Sequence, residues 1–442
     1  MQEWLWKSAA DLGRAIGAGQ IDPVALAETY LAAIAEHPQR DRIYARTTQD
    51  RALAEAHAAR QRAATGHRLS VLDGVPISWK DLFDTAGTAT EAGSALLAGR
   101  MPAADALVLR NATQMGLVCL GKTHMTELAF SGLGVNPVTA TPPNVHNPAV
   151  APGGSSSGAA TSVAFGLAAA GIGSDTGGSV RVPSAWNDLV GLKTTAGRVS
   201  LQGVVPLCAR FDTVGPLCRT VEDAALIFAA LEGRRAPDLR GASLQGRRFA
   251  ALNTVAMDDL RDAPEAAYRS ALDRLRAAGA EIVALDAPEV AEAMALAPTL
   301  FAPEAYGQWH EQIEAAPHLM HQQVLERFRG GATVSGPEFV SAWLKLDQLR
   351  QTWAARVAGF DAVLLPATPN LPPDVARLES DAQYFVTENL LTLRNTRIGN
   401  LLGLSAVTLP TGVPSCGIML MGQAMGEDRL LRMAAAAEAA LA

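Results

Sequence analysis

Apolar residues follow a helical period near the start of the chain and break into short, dense runs through its middle. Residues 8–64 read as helical. Asp22-Pro23 supplies a capping side chain with proline at the first helical position, and Leu26, Tyr30, Leu31 and Ile34 then fall on one face. Residues 52–62 continue as an alanine-rich, charged helix. From Leu72 to about Gly233 the texture changes to short apolar runs separated by Gly, Pro, Ser and Thr. Within it, 108–115 reads as helix and 117–120 as a buried strand. Residues 158–167 form a helix of small residues, and 169–173 a further strand.

Strand and helix signals alternate again from Arg248 to Phe360. Residues 249–252 and 281–285 are strand-like. Asp262-Ala263-Pro264 opens a helix with the stripe Tyr268, Ala271, Leu272 and Leu275, stopped at Gly279. Residues 289–350 are mostly helical and read as a cap or insert. Residues 361–366 are a buried strand, and the tail from Asn400 carries a Gly/Pro-rich turn and a final alanine-rich helix. There is no internal repeat and no low-complexity linker. The pattern predicts one α/β domain over 1–442 with a helical elaboration.

Composition narrows this only a little. The 442 residues are 49% hydrophobic and 18% charged, the balance of a globular chain. A net charge of −7 gives no basic footprint for nucleic acid or an anionic membrane, so neither is expected as a partner. The stretch 163–173 is too short and too broken by glycine to span a bilayer. The four cysteines, Cys119, Cys208, Cys218 and Cys416, have no metal-type pairing; Cys208 and Cys218 read as buried free thiols rather than a disulfide. The first residues lack a charged start and an apolar run, so a cytoplasmic location is the expectation. No His/Cys/Asp cluster has ligand spacing, and neither a metal nor another cofactor is expected.

Two Gly-Ser loops stand out, 152–158 and 173–183. Glycine loses the most freedom on folding, so such density is costly unless a backbone must approach a ligand closely or aim several N–H groups one way. Thr176, Gly177, Gly178 and Ser179 offer successive amides able to form a nest around a developing oxyanion, beside a hydroxyl able to attack. The plainer alternative is a pair of turns at strand–helix junctions. Neither loop has the Walker-type or Gly-x-Gly-x-x-Gly pattern of a phosphate cradle. Residues 154–158 do satisfy Gly-x-Ser-x-Gly, the nucleophile elbow with Ser156 as nucleophile. That motif needs a strand before it and an acid and a histidine after it. Residues 142–152 are Pro-rich loop, and the later histidines, His310, His318 and His321, fall in the helical insert.

These residues resemble the amidase-signature hydrolases. Gly153-Gly154-Ser155-Ser156 is followed by Gly173-Ser174-Asp175-Thr176-Gly177-Gly178-Ser179-Val180-Arg181-Val182-Pro183 and then Gly191-Leu192-Lys193. Leu72 to Asp81, Gly121-Lys122-Thr123, Asp212 to Pro216 and the stretch from Arg394 to Pro410 are similar as well. The likeness is strong over about 68–231 and weaker over 361–442. It implies a central mixed β-sheet flanked by helices on both faces. It implies Ser179 as nucleophile, Ser155 as a proton relay following a cis peptide bond, and Lys80 as base. A free lysine has a pKa of about 10.4 and is protonated at neutral pH. The apolar context of Lys80 (Val75, Pro76, Ile77, Trp79, Leu82, Phe83) suits a depressed value.

The same resemblance gives Asp175 the task of holding loop amides and Ser156 a supporting hydrogen bond. Arg181 either ties down the loop or binds an acidic substrate group. Lys122 and Lys193 read as structural, His124 as a packed or rim residue, and Ser157 as a departure from the usual glycine. The expected substrate is a small or medium carboxamide. Pocket walls are expected from 130–136, 209–211 and the cap helices 300–350. Two further readings remain: the glutaminase component of a tRNA-dependent amidotransferase that amidates glutamyl-tRNA, and the catalytic member of a two-protein ureide hydrolase. A homodimer or a small partner protein fits these readings. A non-catalytic scaffold is disfavoured because Lys80, Ser155 and Ser179 are all present.

Overall fold

Short runs of apolar residues become strands here because helices cover them on both sides, so both faces of each strand are buried and no alternation is needed. In the computed structural model, which describes residues 1–442, the strands are Tyr44–Thr47 (β1), Pro76–Lys80 (β2), Val118–Thr123 (β3), Gly171–Ser174 (β4), Val190–Lys193 (β5), Val214–Cys218 (β6), Arg248–Leu252 (β7), Glu281–Leu285 (β8), Ala362–Pro366 (β9), Ala406–Pro410 (β10) and Gly417–Met421 (β11). They form one mixed sheet in the order β1-β3-β2-β4-β6-β5-β10-β11-β9-β7-β8. Every residue of β2, β3, β4, β5, β6, β9 and β11 is buried, whereas the edge strands β1 and β8 are partly exposed. The main apolar cluster takes residues from Leu5 to Leu441, with two smaller clusters beside it around Trp186 and Val118.

The topology brings the two halves of the chemistry to one end of the sheet. Strand β2 pairs parallel with β3 and β4, with Trp79 beside Ile172, so Lys80 and Ser174 both close their strands at the same edge. This is where ligands gather in α/β sheets with parallel strands. Residues 288–357 lie between β8 and β9 as the helices Pro288–Ala295, Ala297–Ala315, Gln322–Arg329 and Gly336–Val357.

Several local expectations need correction. The stretch 8–64 is not helical throughout. It holds the edge strand β1, paired antiparallel with β3, because Tyr44 buries its ring and its hydroxyl donates to the Leu167 carbonyl. The buried strand expected at 117–120 continues to Thr123. The C-terminal region contains a 20-residue helix, Ala382–Leu401, and the antiparallel pair β10–β11, none of which the apolar pattern predicts. That helix lacks a clean apolar stripe because its inner face is polar: Asn389, Thr392, Asn395, Thr396 and Asn400 are all buried. The cap at Asp22 forms as expected, its carboxylate accepting from the amides of Val24 and Ala25.

Candidate active site

Lys80 is fully buried at the end of β2. Its Nζ donates to Ser155 Oγ and to Ser174 Oγ, each at 2.8 Å. Both partners are neutral hydroxyls, so the ammonium form has no ion pair to hold it. Burial drives the pKa from 10.5 to about 7, against a weaker upward pull from the carboxylates of Asp212 and Asp175. A useful fraction of this amine is therefore neutral at neutral pH.

The first Gly-Ser loop carries Ser155 to the amine. The Gly154–Ser155 peptide bond is cis. A side chain on Gly154 would sit 2.6 Å from the Gly134 amide nitrogen and 2.8 Å from Thr126 Oγ1, so only glycine fits there. Ser156 is fully buried and engaged in support. Its Oγ donates to the Ser174 carbonyl at 3.2 Å and accepts from the Ser174 amide at 3.3 Å, while its own N–H donates to the Ser179 carbonyl at 3.2 Å. Ser157 begins the helix Ser157–Ala164, and no strand precedes the loop, so the context of a nucleophile elbow is missing.

Asp175 organises the second loop. Its carboxylate accepts from the amides of Gly178, Val180 and Arg181, from the Arg181 guanidinium and from Asn400 Nδ2. Burial alone would raise its pKa. The Arg181 charge and the hydrogen bonds outweigh this and hold the carboxyl well below the usual range. Arg181 is fully buried; it also donates to the Thr396 carbonyl and Asn400 Oδ1, and does not reach the cleft. Gly178, expected among the oxyanion donors, is withdrawn from them because its N–H is 2.8 Å from Asp175 Oδ1. Its φ of +140°, with Thr396 Oγ1 2.1 Å from where a Cβ would stand, admits only glycine. The amides of Thr176, Gly177 and Ser179 donate to no other protein group, and the three residues line the cleft. No hydrogen bond joins the Ser179 and Ser155 hydroxyls in this structure. Catalytic contacts often close only around substrate.

The cleft beside Ser179 is lined by Ala129, Phe130, Ser131, Thr176, Gly177, Leu207, Phe301, Arg327, Leu393 and Arg397. The wall expected at 209–211 does not line this cleft: Phe211 is buried against Phe301 and Trp343, while Ala209 and Arg210 are exposed. Leu393 and Arg397 come from the unforeseen helix Ala382–Leu401. Sequence reasoning also missed Ser174, the second partner of Lys80. It missed Asp212 as well, which accepts from Thr176 Oγ1 at 2.5 Å and from the Leu207 and Cys208 amides. The position of Ser174 at the end of a strand parallel to β2 was the signal available for the first.

The remaining singled-out residues lie away from the reacting centre. Lys122 donates to Thr90 Oγ1, and Lys193 to the Thr194 and Leu404 carbonyls, both fully buried. His124 is half-buried, and burial pushes its pKa down to about 4. The four cysteines are buried free thiols. No group of three or more His, Cys, Asp or Glu side chains is arranged to hold a metal ion. No helix is long and apolar enough to cross a membrane.

The sequence profile of the family described as Amidase matches residues 25–431. The chain belongs to the amidase family. Among curated relatives, the 2-amino-5-chloromuconic acid deaminase of Comamonas testosteroni is 37% identical over 85% of this chain and 83% of its own. The A component of the glutamyl-tRNA(Gln) amidotransferase of Anaeromyxobacter sp. (strain K) is 31% identical over 97% and 95%. Two solved structures show the same fold. A crystal structure of an amidase superposes with a TM-score of 0.88 at 27% identity, covering 99% of this chain and 100% of the other. The peptide amidase from Stenotrophomonas maltophilia gives 0.84 at 27% identity, covering 99% and 98%. This amidase is thus an amide-hydrolysing enzyme on a mixed sheet with helices on both faces.

Proposed function

We propose that this amidase hydrolyses a small or medium carboxamide through an acyl-enzyme on Ser179, with Lys80 as base and Ser155 as relay. The observation that carries the reading is the Lys80 amine, buried, without an ion pair and 2.8 Å from Ser155 Oγ. The neutral amine takes the Ser155 proton, Ser155 takes that of Ser179, and the Ser179 oxygen attacks the amide carbonyl. The oxyanion receives the amides of Thr176, Gly177 and Ser179. As the C–N bond breaks, Ser155 returns a proton to the leaving nitrogen and is reprotonated by Lys80. Water then clears the ester by the reverse relay. The enzyme works without a cofactor and in the cytoplasm.

The test is release of ammonia or amine from a panel of primary amides, anilides, glutamine and ureides by the purified protein and two alanine variants. Removing a positioned acid–base group costs about 10²–10⁴-fold in rate, so Ser155→Ala falls by that much. Ser156→Ala loses only a supporting hydrogen bond and is slowed far less. Equal losses in the two variants would remove Ser155 from the relay.

A second reading has its own support: likeness to the glutamyl-tRNA(Gln) amidotransferase component over 97% of the chain. In that reading the chain frees ammonia from glutamine for a partner. Co-purification with a small protein, together with tRNA-dependent glutaminase activity, would favour it over the stand-alone enzyme.

A further inference from the structure

Two arginines of the cleft have no partner within the protein. Arg397 is 9% exposed on the helix Ala382–Leu401, yet it makes neither a hydrogen bond nor a salt bridge. Arg327 lies on the helix Gln322–Arg329, and its Nη1 is buried with nothing to donate to. Aromatic faces hold both in place. The Arg327 guanidinium sits 4.4 Å from the centre of the Phe130 ring and that of Arg397 6.0 Å from the Phe301 ring. The helix of Arg327 is anchored at its start, where the His321 amide donates to the buried carboxylate of Glu127 at 2.8 Å.

Arg327 is half-buried and Arg397 nearly fully so, and a guanidinium drawn out of water and left unpaired is costly, because a buried charge must be paired or hydrogen-bonded to be tolerated. Two that share one cleft compound the cost through mutual repulsion. Burial lowers the pKa of Arg327 to about 9, with the Arg397 charge adding to it, and burial lowers that of Arg397 to about 10. No carboxylate of the protein answers either charge. Elsewhere this chain pairs its buried arginine closely, as Arg181 shows with Asp175. Both unpaired guanidiniums line the same cleft as Ser179 and the free amides of Thr176 and Gly177. A fork of N–H donors matches the planar geometry of a carboxylate.

We propose that the cleft selects amides that also carry a carboxylate, which Arg327 and Arg397 grip while the amide carbonyl lies against Ser179. This rests on Ser179 being the nucleophile. The substrate class is then the half-amide of a dicarboxylic acid or a close relative. The anion supplies the counter-charge that the fold withholds. Because the repulsion between the arginines is relieved only by an anionic ligand, the site gains most from a substrate that a neutral amide cannot imitate.

The test compares succinamate and glutaramate with the neutral amides of matching length, butyramide and valeramide. The carboxylate-bearing amides are expected to have a kcat/KM about 10²-fold higher or more. In Arg327→Gln and Arg397→Gln that ratio falls at least tenfold, through KM more than kcat, and lysine at either position restores part of it. A second measurement needs no turnover and no variant of the arginines. Millimolar glutarate, against chloride at equal ionic strength, should raise the melting temperature of wild type and of Ser179→Ala. Equal kcat/KM for charged and neutral amides, or no shift with glutarate, would overturn the clamp. If Ser179→Ala keeps its turnover while glutarate still protects, the nucleophile assignment fails and the anion site stands.

Discussion

Ser179→Ala is expected to abolish amide hydrolysis, with turnover falling by more than about 10⁴-fold, because it removes the hydroxyl on which the proposed acyl-enzyme forms. The competing candidate is Ser156, the centre of the Gly-x-Ser-x-Gly match. Its oxygen is fully buried and bonded on both sides to the backbone of Ser174, whereas Ser179 opens onto the cleft beside three unspent amides. A serine-directed phosphonate or sulfonyl fluoride, followed by peptide mapping, should therefore mark the peptide that contains Ser179. An adduct on Ser156, together with an active Ser179→Ala enzyme, would restore the elbow.

The second large effect concerns protons. Only the neutral form of Lys80 accepts one, and burial places its pKa at about 7. Activity should thus rise with pH and level off above that value; kcat/KM falls about tenfold per unit on the acid side. Lys80→Ala should lose at least about 10²–10⁴-fold at pH 8 and lose the acid limb as well. Lys193 is an internal comparison, for burial pulls its pKa to about 7 too, yet its Nζ points to carbonyls away from the cleft. A Lys80→Ala enzyme with near wild-type turnover, or a profile flat from pH 5 to 9, would remove lysine from the mechanism.

What the sequence revealed was the part written in contiguous motifs. The loops around Ser155 and Ser179 and the end of β2 are each local, glycine-constrained and apolar-flanked, so their residue order carries their geometry. Short apolar runs between helical segments point to the α/β class, whereas the mixed sheet was implied only by the resemblance to the amidase-signature hydrolases. The cleft walls were less legible, because their residues answer to distant partners. Arg327 and Arg397 are 70 positions apart in sequence and meet only after the helices after β8 fold back against the helix Ala382–Leu401. That helix hid itself by burying amides and hydroxyls: Asn395 donates to the carbonyls of Ala256 and Pro366, and Asn400 to Asp175. A polar inner face defeats any search for an apolar stripe. Strand β1 was lost for a related reason, since its pairing with β3 rather than its own four residues makes it a strand.

The surroundings of Lys80 also set a thermodynamic ledger that catalysis does not show. In the unfolded chain its ammonium is hydrated and keeps a proton up to about pH 10.4. In the fold the proton is released near pH 7, so from about pH 7 to 10 the unfolded state holds more protons and folding stability rises with pH on this group's account. At pH 7 the mismatch costs the native state on the order of 4 kcal/mol. Lys80→Met removes it while leaving the Ser155 and Ser174 hydroxyls short of one hydrogen bond each, about 1 kcal/mol apiece. The variant should then resist urea better than the wild type at pH 7, and the order should reverse above about pH 9, where the wild type has shed more than half of that cost. Below that crossing, the side chain proposed as the base is one without which the fold would be more stable.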